Sequence, residues 1–143
     1  MRRTAILLVI GLILIGASPV RAQSIYHAEN APCDIRWKAA YYQDGDTHPV
    51  RRIIRCAVRL WPVPGGVKKA FSVARCESGF RPDAYYAGNA GVFQQRTKYW
   101  KGRVRTYLRR WWPSNVSPFN GRANVILSVR MANRYGWNAW ACA

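Results

Sequence analysis

The sequence predicts a mainly α-helical domain with a small β or loop region, an α+β arrangement in which helices form most of the core. Three stretches repeat apolar residues at the spacing of one helix face. Between the second and the third lies a segment, 81–95, in which glycines stand among aromatic residues and no helical pattern continues. A length of 143 residues is typical of one domain, so we expect all of these elements to share one core.

Residues 1–22 have the pattern of a signal peptide. Two arginines precede an unbroken apolar run, 5–16, and residues 20–22 place small or apolar side chains where a signal peptidase cleaves. We therefore expect cleavage before Gln23 and a secreted protein, located in the periplasm, the cell wall or outside the cell. The alternative is an uncleaved membrane anchor. Because the apolar run is short for a bilayer, we expect no stable membrane insertion after cleavage.

The next segment, 23–48, is polar and weakly patterned, with a turn signal at 44–46. It predicts an N-terminal surface arm, held to the domain by Cys33. The remaining residues, 49–143, are predicted to form the functional domain.

Two helices are predicted at the start of that domain. In 49–60 apolar residues occupy one face while arginines tend to the other, and the run 62–66, rich in proline and glycine, ends the helix. The second helix is predicted at 67–78, and Gly79 is a suitable C-cap because glycine adopts the left-handed conformation readily.

The second half of the domain is predicted as a loop region followed by two more helices. The segment 81–95 is interpreted as a loop with short strands, and 99–112 as a strongly basic helix. Asn120 is a suitable N-cap for the last helix, which is expected to end at Gly136.

The strong positive charge of the chain predicts a polyanionic binding partner. The formal net charge is +17, and loss of Arg2, Arg3 and Arg21 with the signal peptide lowers it to +14. Such a charge favours nucleic acid, a membrane surface or a polyanionic cell wall as partner. Because the export signal counts against nucleic acid, we expect a protein that acts at an anionic cell-wall surface and binds no nucleic acid. We also expect it to be a monomer.

Glu77 is the candidate catalytic residue. Acidic residues are scarce, and only Glu77 stands in an apolar neighbourhood, at the end of a predicted helix. An apolar setting and a helix C-terminus both favour the protonated carboxyl, which suits a general acid. The alternative, which composition alone favours, is a partly exposed glutamate paired with one of the many arginines.

A family resemblance supports the catalytic interpretation. The run 74–85, ARCESGFRPDAY, resembles the E-S-x-F-x-P-x-A segment of soluble lytic transglycosylases, and 91–94, GVFQ, resembles their G-L-M/F-Q segment. The tetrapeptide CESG also resembles resuscitation-promoting factors, and 135–140 resembles the G-W-x-x-W ending of some secreted bacterial members. Together these motifs cover roughly residues 67–143.

The resemblance implies a lysozyme-like fold and cleavage of peptidoglycan glycan strands without cofactor or metal. It implies that Glu77 is the acid/base residue and that Ser78 and Gln94 line the cleft. A tyrosine that supports the glutamate has only a weak counterpart here, Tyr135, so the residue that orients Glu77 stays open. From their positions in the chain, Tyr86 and Phe93 are predicted as further substrate-binding residues.

Three functions remain open at this point. With Glu77 as the single carboxylate, the expected reaction is that of a lytic transglycosylase, which forms a 1,6-anhydro sugar. If Asp83 supplied a second carboxylate, the enzyme would be a hydrolytic muramidase. The alternative of another class is a non-catalytic cationic protein that binds wall or membrane.

Four cysteines lie in the predicted mature chain: Cys33, Cys56, Cys76 and Cys142. An even number in an exported protein favours two disulfides over a metal site. Four cysteines allow three pairings, among which sequence alone does not choose. We favour Cys76–Cys142 with Cys33–Cys56, since the first bond ties the helix that carries Glu77 to the C-terminus.

Overall fold

The computed structural model describes residues 30–34 and 48–143, so the predicted signal peptide and most of the predicted arm lie outside the described residues. Four helices and three short strands are present: α1 His48–Leu60, α2 Gly66–Ser78, β1 Tyr85–Tyr86, β2 Asn89–Ala90, β3 Gln95–Arg96, α3 Thr97–Tyr107 and α4 Gly121–Tyr135. The strands form one antiparallel sheet in the order β1-β2-β3. The predicted mainly α architecture with a small β region is confirmed. Within the described ranges, no helix has the length and apolar character needed to cross a membrane.

Helix α4 is the centre of the core. Most of its residues are buried from Gly121 to Ala132, on every face rather than along one stripe, as expected for a helix enclosed by other elements. Helix α1 lays its apolar face, including Ile53 and Ile54, in the same core and packs against both α4 and α2. The sheet and α3 cover the rest of α4, and they supply one wall of the pocket described below.

The helix ends follow the local sequence as predicted. Gly79 caps α2 in the left-handed conformation, with φ of 63°, and N–H groups at this end bond to the carbonyls of Ala74 and Arg75. The side chain of Asn120 accepts a hydrogen bond of 3.0 Å from the N–H of Ala123 and so begins α4, which ends before Gly136.

The prediction for the third helix was wrong at its ends. Helix α3 covers Thr97–Tyr107 rather than 99–112. After Leu108 the chain turns, because the N–H groups of Trp111 and Trp112 both bond to the carbonyl of Leu108. This turn carries Trp112 into the core, where it is buried, so tertiary packing overrides the helical pattern of the basic run.

Both predicted disulfides are present, and the described residues include no free cysteine. Cys33–Cys56 joins the segment 30–34 to α1, and Cys76–Cys142 joins the last turn of α2 to the C-terminus. The Cα–Cα distances are 5.6 and 5.8 Å, within the ordinary range for disulfides.

The described part of the predicted arm packs against α4. Arg122 is fully buried and donates hydrogen bonds to the carbonyls of Ala31 and Pro32, and its guanidinium forms an ion pair of 3.2 Å with Asp34. Ala31 and Cys33 are themselves buried. These two side chains therefore belong to the core, whereas Asn30 and Asp34 are exposed.

The loop between β2 and β3 is held by one side chain of α4. The Oδ1 atom of Asn124 accepts from the N–H of Phe93 at 2.9 Å, and its Nδ2 atom donates to the carbonyls of Ala90 and Pro118 at 3.0 and 2.9 Å. Gly91 lies beside this amide with φ of 78°, and a Cβ atom there would stand 2.4 Å from Asn124 Nδ2. Glycine is therefore required by both backbone conformation and space.

We predict that Asn124→Ala lowers the free energy of unfolding by about 3 kcal/mol, because it leaves three largely buried backbone groups without partners. Urea denaturation followed by circular dichroism measures the change. Asn115→Ala is the matched control, since Asn115 is exposed and makes no side-chain hydrogen bond in the described chain; its effect should stay within about 0.5 kcal/mol. Equal stability of the two variants would contradict the role of Asn124.

Candidate functional site

A pocket of about 360 Å³ opens beside the end of α2. Its walls come from three parts of the chain: the end of α2, the sheet with α3, and the C-terminal residues, with one contribution from α4. The lining residues are Glu77, Asn89, Gln94, Gln95, Arg96, Tyr99, Arg103, Met131, Ala139, Trp140 and Ala141. Glu77 is the single carboxylate among these residues.

Glu77 stands in the last turn of α2, immediately after a disulfide cysteine and two residues before the C-cap glycine. Its side chain is half-buried, and Oε1 accepts a hydrogen bond of 3.3 Å from the N–H of Cys142. Since Cys142 is covalently joined to Cys76, the group that contacts the carboxylate is fixed to the same helix.

Burial raises the pKa of the Glu77 carboxyl above its ordinary value, and the N–H of Cys142 opposes this effect without cancelling it. The described residues form two ion pairs, Arg81 with Asp83 and Arg122 with Asp34, and neither includes Glu77. Among the described residues, Glu77 is therefore not paired with an arginine, in contrast to the alternative interpretation of the sequence. Such a carboxyl can hold a proton closer to neutral pH than an exposed one.

Ser78 connects α2 to the loop that Asn124 holds. Its hydroxyl donates to the carbonyl of Val92 at 2.7 Å and accepts from the N–H of Arg81 at 3.1 Å. The Nε1 atom of Trp140 donates to the neighbouring carbonyl of Phe93 at 2.9 Å. Ser78 thus positions the loop but does not itself line the pocket, whereas the next residue of that loop, Gln94, does.

Gln94 has a left-handed backbone, with φ of 44°, which is uncommon for a residue with a side chain. Its Nε2 atom donates to the carbonyls of Ala84 and Gly91 at 3.1 and 2.9 Å. These bonds orient the side-chain amide and leave its oxygen as an acceptor at the pocket wall. The structure therefore brings Glu77 and Gln94 together in one pocket.

The other predicted substrate-binding residues lie elsewhere. The side chain of Phe93 is fully buried and packs on the rings of Trp137 and Trp140, at centroid distances of 5.8 and 6.3 Å, so it belongs to the core and offers no surface to a substrate. Tyr86 and Tyr135 are 78% and 60% exposed, and neither lines the pocket.

Asp83, the candidate for a second carboxylate, is directed to the surface. Its side chain is 69% exposed and forms an ion pair of 3.3 Å with Arg81. It is not among the residues that line the pocket. The arrangement therefore offers one carboxylate for proton transfer.

Several lining residues were not singled out from the sequence. They come from β2, β3, α3, α4 and the C-terminal turn, and comprise Asn89, Gln95, Arg96, Arg103, Met131, Ala139 and Ala141. Arg96 ends β3 immediately before α3, and Arg103 lies in the middle of that helix, so no single periodicity relates the two residues. Only the folded structure shows that both residues line the same pocket as Glu77.

In the described ranges 30–34 and 48–143, no group of three histidine, cysteine or acidic side chains is arranged to hold a metal ion. Comparisons of the chain with known protein families, with curated proteins and with solved structures found no match.

The raised pKa of Glu77 predicts a pH-dependent loss of stability. The folded state binds the proton more tightly than the unfolded state, in which the pKa is near the ordinary value of 4.5. The wild type should therefore lose stability relative to Glu77→Gln as pH rises from the unfolded pKa to the higher folded pKa, and the difference should persist above it. Urea denaturation at about pH 3 and about pH 7 measures this, since pH 3 lies below both values.

Asp83→Asn is the control for that measurement. It removes the same single negative charge from a strongly basic chain, but at an exposed position outside the pocket. For each variant the free energy of unfolding relative to the wild type is compared at the two pH values. If it rises between about pH 3 and about pH 7 no more for Glu77→Gln than for Asp83→Asn, the interpretation of Glu77 as a desolvated carboxyl is contradicted.

Proposed function

We propose that this protein is a secreted, monomeric lytic transglycosylase with a lysozyme-like fold, which cleaves the bond between N-acetylmuramic acid and N-acetylglucosamine in peptidoglycan. The observation that carries the proposal is the single half-buried carboxyl of Glu77 in a pocket, with a raised pKa and no ion pair. A general acid needs this combination, because it must hold a proton near neutral pH and release it to a leaving oxygen.

In the proposed reaction the Glu77 carboxyl donates its proton to the glycosidic oxygen while the bond from that oxygen to C1 of the muramic acid breaks. The resulting carboxylate then accepts the proton of the C6 hydroxyl of the same sugar, and O6 bonds to C1. Glu77 regains its proton, a 1,6-anhydro sugar forms and no water is consumed. The C6 hydroxyl is favoured over water because the ring holds it at a high effective concentration.

The contacts between the two motif segments support the proposal. The hydroxyl of Ser78 bonds to the carbonyl of Val92, so the CESGF segment and the GVFQ segment are directly joined. Gln94 consequently lines the same pocket as Glu77, with an orientation fixed by two hydrogen bonds. An oriented amide can bond a sugar hydroxyl, and the exposed ring of Tyr99 at the pocket offers apolar surface for a sugar C–H face.

The hydrolytic alternative lacks a second carboxylate at the pocket. A muramidase that uses two carboxylates places them on both sides of the scissile bond. Asp83 instead pairs with Arg81 at the surface, which favours the single-carboxylate reaction.

A purely cationic binding protein is disfavoured by the same carboxyl. Burial of an unpaired carboxyl costs free energy, and binding to an anionic wall gains nothing from a negative charge in the pocket. A role in proton transfer would explain why the chain places an unpaired carboxyl there in spite of this cost.

We predict that digestion of purified peptidoglycan yields muropeptides that end in 1,6-anhydro-N-acetylmuramic acid. Mass spectrometry distinguishes them from hydrolytic products, which are heavier by one water and can be reduced with borohydride. Mainly reducible ends would replace the transglycosylase with the muramidase, and the absence of any cleavage would favour the non-catalytic binding protein.

Two variants locate the acid/base in the same assay. Glu77→Gln should lower the rate about 10²- to 10⁴-fold, because the amide accepts the Cys142 N–H but donates no acidic proton. Asp83→Asn, the matched loss of one carboxylate, should retain most of the rate. Folding of each variant is checked by circular dichroism; a folded Glu77→Gln protein with over half the wild-type rate would contradict the assignment.

A further inference from the structure

Two arginines line the pocket, Arg96 of β3 and Arg103 of α3. Within the described chain, neither forms an ion pair, since the carboxylates of Asp34 and Asp83 pair with other arginines and Glu77 pairs with none. The residues that line the pocket thus include two cationic residues and a carboxyl that forms no ion pair with either of them.

Arg103 is held in place by two contacts. Its Nη1 atom donates to Oε1 of Gln95, and the Nε2 atom of Gln95 donates in turn to the hydroxyl of Ser128 at 2.8 Å. Gln95 and Ser128 are both buried, so this chain of hydrogen bonds anchors the guanidinium to α4. The second contact is the ring of Tyr99, whose centroid lies 5.4 Å from Cζ, and the guanidinium also interacts electrostatically with Tyr107.

The guanidinium is thus partly desolvated, which lowers the pKa of Arg103, and it has no carboxylate to compensate. Gln95 engages one of its five N–H groups, and the side chain is only half-buried, so further N–H groups remain to bond a ligand. A preorganised guanidinium fork is suited to a carboxylate, which it binds through two parallel hydrogen bonds.

We propose that Arg103, together with Arg96, forms a subsite for a carboxylate carried by the glycan substrate. This inference rests on the proposed function, because it assumes that a muramic acid strand enters the pocket. Such strands carry a lactyl group on O3 of the muramic acid, whose carboxyl is free when the peptide has been removed. In substituted strands the same group is amide-linked to a stem peptide that carries its own carboxylates.

Both sources present the same chemistry to the arginines, and neutral glycans present none. The subsite would hold an anionic substituent of the sugar while Glu77, which no arginine neutralises, keeps its proton for the glycosidic oxygen. Selectivity for muramic acid strands over chitin-like strands would follow.

Binding is measured in the Glu77→Gln protein, so that no probe is cleaved. The probes are chitotetraose, a peptide-free tetrasaccharide of alternating N-acetylglucosamine and N-acetylmuramic acid, and the same tetrasaccharide with stem peptides. A form of each anionic probe with its carboxyls amidated completes the set. Isothermal titration calorimetry gives the preference for each anionic probe over chitotetraose.

Adding Arg103→Gln should lower that preference about tenfold, the low end for a charge-assisted hydrogen bond at a partly exposed site. In the Glu77→Gln protein that keeps both arginines, amidation of the probe's carboxyls should abolish the preference for the anionic probe. Loss on amidating the peptide-free probe identifies the lactyl carboxylate, and loss only with the stem-bearing probe identifies the peptide.

Arg105→Gln is the matched control, because Arg105 is an exposed residue of α3 outside the pocket and the charge change is the same. It corrects for the general attraction of a basic protein to anionic probes. If Arg103→Gln disturbs folding, Arg96→Gln repeats the test, since Arg96 is exposed and makes no side-chain hydrogen bond in the described chain.

Equal preferences in the Arg103→Gln and Arg105→Gln proteins would overturn the subsite, as would failure of every probe to bind. The anhydro-product assay of the wild type is independent of this result. If anhydro products form but the preference does not depend on Arg103, only the proposed subsite is contradicted. If the preference depends on Arg103 but no glycan is cleaved, the proposed enzymatic activity is contradicted and a carboxylate-binding pocket is supported.

Discussion

The amide of Asn124 is the contact on which the pocket depends. It joins the central helix α4 to the loop after β2, and it excludes any side chain at Gly91 by occupying the space of a Cβ atom. Ser78 donates to the carbonyl of Val92 in that loop, and Trp140 donates to the carbonyl of Phe93. Three parts of the chain, α2, α4 and the C-terminal turn, are thereby fixed around the same few residues, and Gln94 is delivered to the pocket beside Glu77.

The electrostatic arrangement of the pocket is a second constraint. In a chain with 23 lysines and arginines and 6 acidic residues, an unpaired glutamate is unusual. Here the carboxyl is desolvated and forms no ion pair, although Arg96 and Arg103 line the same space. The guanidinium of Arg103 is instead hydrogen-bonded to Gln95, which is anchored in turn to Ser128.

Sequence reasoning succeeded where the controlling interactions are local. Gly79 and Asn120 end and begin helices through their own backbone and side-chain chemistry, so both were predictable, and the favoured disulfide pairing is present. It failed where packing decides: the burial of Trp112 ends α3 early, and Phe93 enters the core although its neighbour Gln94 reaches the pocket. Arg103 could not be assigned to the pocket from one sequence, because only the docking of α3 brings it there.

The central claim is that Glu77 holds its proton more tightly than an ordinary glutamate, and carbon NMR measures this directly. The chain contains two glutamates, Glu29 and Glu77, so a protein labelled with ¹³C at the glutamate carboxyl carbon gives at most two signals, which Glu77→Gln assigns. We expect the Glu77 signal to titrate with a pKa above the ordinary value of 4.5. Titration at or below that value would contradict the desolvated carboxyl and, with it, the general acid on which the proposed function depends.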